Sequence, residues 1–185
     1  MPELTHAPLP LGADAAAKAA HYAEVCDDIR ATLAGEPNFV AAMATVASVL
    51  HHAFDCFSWT GFYVAEPGGA DELVVGPYQG SLGCLRIPFA RGVCGAAART
   101  RATQVVPDVA AFPGHIACAS STRSELVVPL LCPASGRVLA VLDVDSDAPA
   151  AFDAVDAQAL EGLAAWLASK YGEQQPGARG DGGAG

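Results

Sequence analysis

The sequence predicts an α+β domain: a central antiparallel sheet flanked by helices. Three observations carry this. Apolar residues recur at helical spacing near both ends of the chain. The middle holds short β-rich runs separated by glycine and proline. The resulting order, α-α-β-β-(β)-α-β-β-β-α, describes an antiparallel sheet with helices packed against it. At 185 residues, 52% hydrophobic and 16% charged, the chain suits one compact domain. A domain of this size buries roughly 70% of its unfolded surface and needs no disulfide to hold it.

Residues 1–15, rich in Pro and Ala, are expected to form a mobile N-terminal arm. Lys18 to Leu33 reads as a helix, with Tyr22, Val25, Cys26, Ile29 and Leu33 on one face. Gly35-Glu36-Pro37 breaks it, and Pro37 suits the first turn of a second helix. That helix runs to about Phe54 and buries Phe39, Met43, Val46 and Leu50. Phe57 to Ala65 reads as a strand with Phe57, Trp59, Gly61 and Tyr63 on one face and Phe62 and Val64 on the other. A turn at Pro67 to Asp71 leads to a second strand, Leu73 to Tyr78. Gly80 to Gly83 opens a loop holding Cys84, then Leu85 to Pro88 makes a short strand.

Val93 to Thr100 is expected as a short helix and Gln104 to Val106 as a short strand. Pro107 to Ser124 reads as a long loop, a feature usually functional or mobile. Leu126 to Leu131 and Arg137 to Val144 are apolar strands around the turn Pro133-Ala134-Ser135-Gly136. Phe152-Asp153 leads the last helix to about Tyr171, with Val155, Leu160, Leu163 and Leu167 inward. The domain is thus read as residues 16–171, with a disordered Gly-rich tail over 172–185.

A formal charge of −10 argues against nucleic acid or an anionic membrane as partner. No apolar run approaches the ~20 residues of a membrane span. The first residues lack a signal peptide's pattern, so a cytoplasmic location is expected.

Six cysteines in a reducing compartment are more often buried, metal-bound or catalytic than bridged for stability. Cys26, Cys56 and Cys132 read as packing residues. Cys84, Cys94 and Cys118 lie in glycine-containing turns where backbone amides can face a sulfur. His115 either polarises Cys118 or is a plain loop histidine. A metal held by Cys84, Cys94, His115 and Cys118 would lack a tight chelating pair, and no metal is expected. In the strand 137–145, Val138, Ala140, Leu142 and Val144 share one face. Leu139, Val141, Asp143 and Asp145 share the other, so both carboxylates project from one side. If Glu125 joins them, mutual repulsion raises at least one pKa, giving a proton donor near neutrality. Trp59 and Tyr63 can wall a pocket, or simply pack in the core.

Several segments taken in order resemble the free methionine-(R)-sulfoxide reductases, a catalytic branch of the GAF-domain fold. They are Trp59-Thr60-Gly61-Phe62-Tyr63, Gly76-Pro77-Tyr78-Gln79-Gly80, Cys84-Leu85-Arg86-Ile87-Pro88, Arg91-Gly92-Val93-Cys94-Gly95, Gly114-His115-Ile116-Ala117-Cys118, Ser124-Glu125 and Leu142-Asp143-Val144-Asp145-Ser146. Slight departures, Phe89-Ala90 and the loop 119–123 among them, remove no functional position.

The resemblance implies reduction of free methionine-(R)-sulfoxide to methionine. By it, Cys118 is the nucleophile and becomes a sulfenic acid. Cys84 condenses with that acid to a disulfide, and thioredoxin, an external reductant, reopens it. Cys94 is an accessory or alternative resolving thiol. Glu125, Asp143 and Asp145 bind the ammonium group and polarise or protonate the sulfoxide. Trp59 and Tyr63 wall the methyl group, and backbone amides of Ile116, Ala117 and Cys118 face the carboxylate. No bound cofactor is implied. Related domains often pair through terminal helices, so a homodimer is expected. The alternatives are a non-catalytic GAF sensory module and a thiol redox sensor.

Overall fold

The structure, a computed structural model, describes residues 6–66, 71–116 and 118–172. Its helices begin where short polar side chains can bond free amides. Asp14 accepts from the Ala17 amide (2.8 Å) and starts α1, Ala15–Thr32. Asn38 accepts from the Ala41 amide (2.9 Å) and starts α2, Phe39–Ala53. Pro37 therefore precedes the cap and does not occupy the first turn, because the asparagine is the better cap.

Five strands and a short helix follow: β1 Trp59–Ala65, β2 Glu72–Gln79, β3 Arg86–Pro88, α3 Gly92–Thr100, β4 Gln104–Val106 and β5 Ser124–Leu131. β6 is Val138–Ser146 and α4 is Ala154–Tyr171. A single 3-10 turn, Val109–Ala111, interrupts the long loop, and the Val109 amide bonds the Arg123 carbonyl (3.0 Å). The expected turn over 67–70 and tail over 173–185 lie outside the described residues. Within the expected arm, residues 1–5 also lie outside them, while Leu9 bonds Ala53 and Asp55 through both its backbone groups.

The strands form one sheet in the order β3-β2-β1-β6-β5-β4, antiparallel throughout, as the strand pattern predicts. One face packs on α2 and α4 through Phe62, Leu126, Val128, Leu142 and Val144, and α1 packs on those two helices. The other packs on α3 through Tyr63, Val127, Val141, Val93 and Ala97. The helical layer is tied by a buried polar network. Lys18 donates to Asp153 and Asp156 (both 2.8 Å), and the Tyr22 hydroxyl donates to Asp156 (2.9 Å). Asp153 and Asp156 also form a reciprocal capping box on α4, so the buried Asp156 charge is fully partnered.

Simple alternation fails at three places. Leu130 faces Ala140 but Leu131 faces Val138, so β6 carries one extra residue there. Leu139 consequently packs with the helical layer and Val138 with the α3 side, the reverse of the expected faces. Phe57 stands ahead of β1 and packs on Phe54 and Phe152, not beside Trp59. A further bulge lies in β2, where the Gly61–Tyr78 and Tyr63–Val75 pairs enclose one residue on β1 and two on β2. Pro77, which has no amide hydrogen, is one of those two.

Candidate functional site

The register across β1, β6 and β5 assembles the site. Trp59 stands opposite Asp145, and Asp145 opposite Glu125. In the next row on that face, Gly61 stands opposite Asp143, and Asp143 opposite Val127. Directly opposed residues on one face bring their side chains into contact. Three carboxyl groups that lie 18 and 20 residues apart in sequence thus meet on the face covered by α3.

Glycine at 61 permits the aromatic wall. A Cβ there would lie 2.3 Å from Tyr78 Cβ and 2.8 Å from Trp59 Cη2. Without it the Trp59 ring lies over the strand, stacked on Tyr63 (centroids 5.5 Å) and Tyr78 (5.1 Å). Trp59 Nε1 donates to the Ser81 carbonyl (3.1 Å), which pulls the Cys84 loop onto the sheet. Gly92, at φ +71°, turns the chain into α3, and its amide bonds Gly114 (3.0 Å). That bond brings residues 114–116 over the end of α3, with Ile116 packed above Gly92.

Cys84 and Cys118 form a disulfide with Cα atoms 5.3 Å apart. Cys118 lines a cavity together with Trp59, Tyr63, Cys94, His115, Ile116, Glu125, Asp143 and Asp145. The cavity is about 20 Å³, room for little more than a water molecule. Its wall also contains Thr122, whose hydroxyl bonds Asp145. Ala117 lies outside the described residues, so the expected amide cradle is described only at its flanks.

Cys94 is 3% exposed. Its Sγ stands 3.9 Å from Glu125 Oε1, and Asp143 adjoins both. One polar atom from each of Cys94, Glu125 and Asp143 lies within 4.8 Å of the others, a set able to hold a small cation. This is a different set from the cysteines and histidine weighed from sequence, two of which are locked in the disulfide. Asp143 Oδ1 is buried with no hydrogen-bond partner among the described residues. His115 Nε2 faces Glu125 Oε2 at 3.8 Å, and burial lowers the pKa of the imidazole.

Burial, then the Asp143 and Asp145 charges, pushes Glu125 well above the usual carboxylate range. Burial pushes Asp145 well up too, followed by Asp143, while Thr122 opposes the rise. Asp143 is pushed up to about 7 by burial. Repulsion, the cause expected from sequence, is thus second to desolvation. Cys94 is likewise held well above the ordinary thiol range, first by burial and then by Asp143 and Glu125. The cluster therefore stores protons near neutrality beside a bridged cysteine pair. Such a site can donate a proton to a departing oxygen, and its remaining charge suits an ammonium group. Thr122 and the facing of His115 toward Glu125 were not legible in sequence, since both depend on loop path, and the stacking of Tyr78 on Trp59 depends on the register beside the β2 bulge.

A family model described as "GAF domain" matches residues 38–170. The free methionine-R-sulfoxide reductase of Escherichia coli is 40% identical over 150 residues, covering 81% of this chain and 88% of that protein. The free methionine-R-sulfoxide reductase of Saccharomyces cerevisiae is 42% identical over 134 residues, covering 70% and 74%. Among solved structures, the free methionine-R-sulfoxide reductase of Neisseria meningitidis in complex with its substrate superposes with a TM-score of 0.80. That chain is 46% identical, with 91% of this chain and 96% of the other covered.

Proposed function

The chain belongs to the free methionine-R-sulfoxide reductases of the GAF-domain family, and from that premise we propose how its site performs the reaction. The protein reduces free methionine-(R)-sulfoxide to methionine through a cysteine sulfenic acid and an intramolecular disulfide. The observation that carries this is the Cys84–Cys118 bond beside a proton-holding carboxyl cavity.

In the reduced protein, Cys118 attacks the sulfoxide sulfur. A carboxyl among Glu125, Asp143 and Asp145 protonates the oxygen, whose bond to the substrate sulfur breaks. The oxygen leaves as water from the Cys118–substrate sulfur adduct, a water molecule then adds to Cys118 Sγ, and the sulfur–sulfur bond breaks, so that methionine departs and Cys118 is left as a sulfenic acid. Cys84 then attacks that sulfur, and water leaves as the disulfide closes. The remaining carboxylates hold the substrate ammonium, and Trp59 and Tyr63 enclose its methyl end. Ile116, Ala117 and Cys118 supply amides to its carboxylate. Cys94 keeps its proton and acts as a neutral partner of Glu125 and Asp143, which argues against a resolving role in this state.

Thioredoxin is the reductant we assign, acting in a reducing cytoplasm that keeps the other cysteines as thiols. No helix among the described residues is long and apolar enough to cross a membrane. Two copies are expected to pair through α1 and α4, where Ala19, Ala23, Ala159 and Gly162 line an open groove.

The test is turnover of the separated sulfoxide epimers with thioredoxin, thioredoxin reductase and NADPH. Oxidation of NADPH with the R epimer alone is expected. No methionine from either epimer under any thiol reductant overturns the reading and leaves a thiol sensor in its place.

A further inference from the structure

Leu82 and Leu85 are 77% and 69% exposed, the most exposed large apolar side chains among the described residues. They stand two residues before and one residue after Cys84. The loop that carries them is not loose at these points. Trp59 Nε1 holds the Ser81 carbonyl (3.1 Å), and the Val75 amide holds the Leu85 carbonyl (3.0 Å). The backbone is thus pinned to the sheet while the two side chains stand in water. The next residue, Arg86, is paired with Glu72 (2.8 Å) and Glu66 (3.5 Å), so the local charge is matched. Leu82 also borders the cavity, but most of its surface, like that of Leu85, stands in solvent beside a redox disulfide.

The two sulfurs of the disulfide differ in setting. Cys118 lines the cavity with Glu125, Asp143 and Asp145, and an incoming thiolate would meet those carboxyls. Cys84, half-buried like Cys118 and flanked by the leucines, is not itself among the cavity-lining residues, although Leu82 and Gly83 before it are. We propose that Leu82 and Leu85 are the docking surface for a dithiol protein of the thioredoxin class, whose attacking thiolate strikes Sγ of Cys84. This rests on the functional reading above and adds the surface and the sulfur. Attack forms a sulfur–sulfur bond from the reductant to Cys84 and breaks the bond to Cys118. Cys118 leaves as a thiolate into a cavity whose carboxyl groups can supply its proton. The reductant's second thiol then attacks its own bridged sulfur and releases Cys84 as a thiolate, which takes up a proton. Two electrons and two protons have passed to this chain, and the reductant carries the new disulfide.

The test has two arms. In the first, the oxidised protein is mixed with thioredoxin whose resolving cysteine is replaced by serine, and the trapped mixed disulfide is mapped by peptide mass. A bond to Cys84 is expected; a bond to Cys118 overturns the assignment. In the second, Leu85→Ser and Leu85→Glu are assayed with thioredoxin and with dithiothreitol. Leu85 lies outside the cavity lining, so turnover with dithiothreitol is expected to match the parent. The kcat/KM for thioredoxin is expected to fall about tenfold, the cost of losing one well-packed interface side chain. An unchanged thioredoxin dependence, or an equal fall with both reductants, overturns the docking surface. Should the parent fail to release methionine even with dithiothreitol, the functional reading falls instead, while the trap still reports which sulfur is struck.

Discussion

Replacing Asp143 by asparagine is expected to remove activity and yet make the fold more stable at neutral pH. The side chain is buried, and its carboxyl is raised from 3.8 to about 7, chiefly by loss of solvent. In the unfolded chain it titrates near its ordinary value. Between those values the folded protein holds a proton that the unfolded chain has lost. The proton-linked contribution is therefore full below pH ~4 and disappears as pH rises through about 7. A window of about three pH units at about 1.4 kcal/mol each comes to about 4 kcal/mol at pH 8. Water entry and side-chain relaxation reduce this. The stability of Asp143→Asn relative to the parent should thus rise by about 2–4 kcal/mol between pH 4 and pH 8. Relief of Glu125 and Asp145, which Asp143 also pushes up, acts in the same direction. Urea unfolding of both proteins in the disulfide form at pH 4, 6 and 8 measures it, and the matching gain in Tm is roughly 4–16 °C. Loss of general acid catalysis lowers turnover by about 10²–10⁴-fold. A pH-independent stability difference, or an asparagine variant that loses ground as pH rises, refutes the argument that desolvation of this carboxyl dominates.

The two bridged cysteines should fail differently. Cys118→Ser is expected to release no methionine even with excess enzyme, whereas Cys84→Ser should release about one equivalent and stop with a trappable sulfenic acid; the reverse pattern exchanges their roles. N-acetylation of the substrate removes the ammonium group and leaves the carboxyl cluster without its cation, a loss of about 3–5 kcal/mol for a buried unpaired charge. Comparable kcat/KM for both substrates would dismiss the cluster as the ammonium site. Gly61→Ala places a methyl against Tyr78 and Trp59, so a loss of about 1–3 kcal/mol in urea unfolding is expected, with a raised KM as the Trp59 ring shifts. An alanine variant of parental stability would show that the ring has room to move.

Much of the fold was readable because its elements obey their periods. The buried stripes of α1 and α2, the alternation of Phe62 against Tyr63, and the projection of Asp143 and Asp145 to one side all follow from spacing. What failed were single-residue insertions. The bulge at Leu139 reverses two faces, and nothing in its apolar neighbours distinguishes the extra residue from a paired one. Phe57 stood outside its strand because packing with Phe54 and Phe152 outweighed its β preference. The pairing of Cys84 with Cys118 is separated by 34 residues. It was implied by resemblance to a family, since no spacing rule fixes it. Burial as the main cause of the carboxyl shifts is also a tertiary fact: it depends on α3 covering the face, not on the acids themselves.

The water-sized cavity beside the closed disulfide sets an order of events. On the proposed roles of the two cysteines, methionine held where the bridge forms would block its closure, so product is expected to clear before Cys84 reaches Cys118. With about 20 Å³ beside the bridge, oxidised enzyme is expected to exclude a second sulfoxide, so the two half-reactions should not overlap in time. The kinetic imprint is a ping-pong pattern, with parallel double-reciprocal lines for sulfoxide and reductant. A less welcome result follows from the same exclusion. Accumulated methionine lingering in the site would prolong the life of the sulfenic acid, and under peroxide that is when Cys118, the proposed nucleophile, would pass to the irreversible sulfinic state. The enzyme is thus expected to be most vulnerable to overoxidation when its own product is abundant.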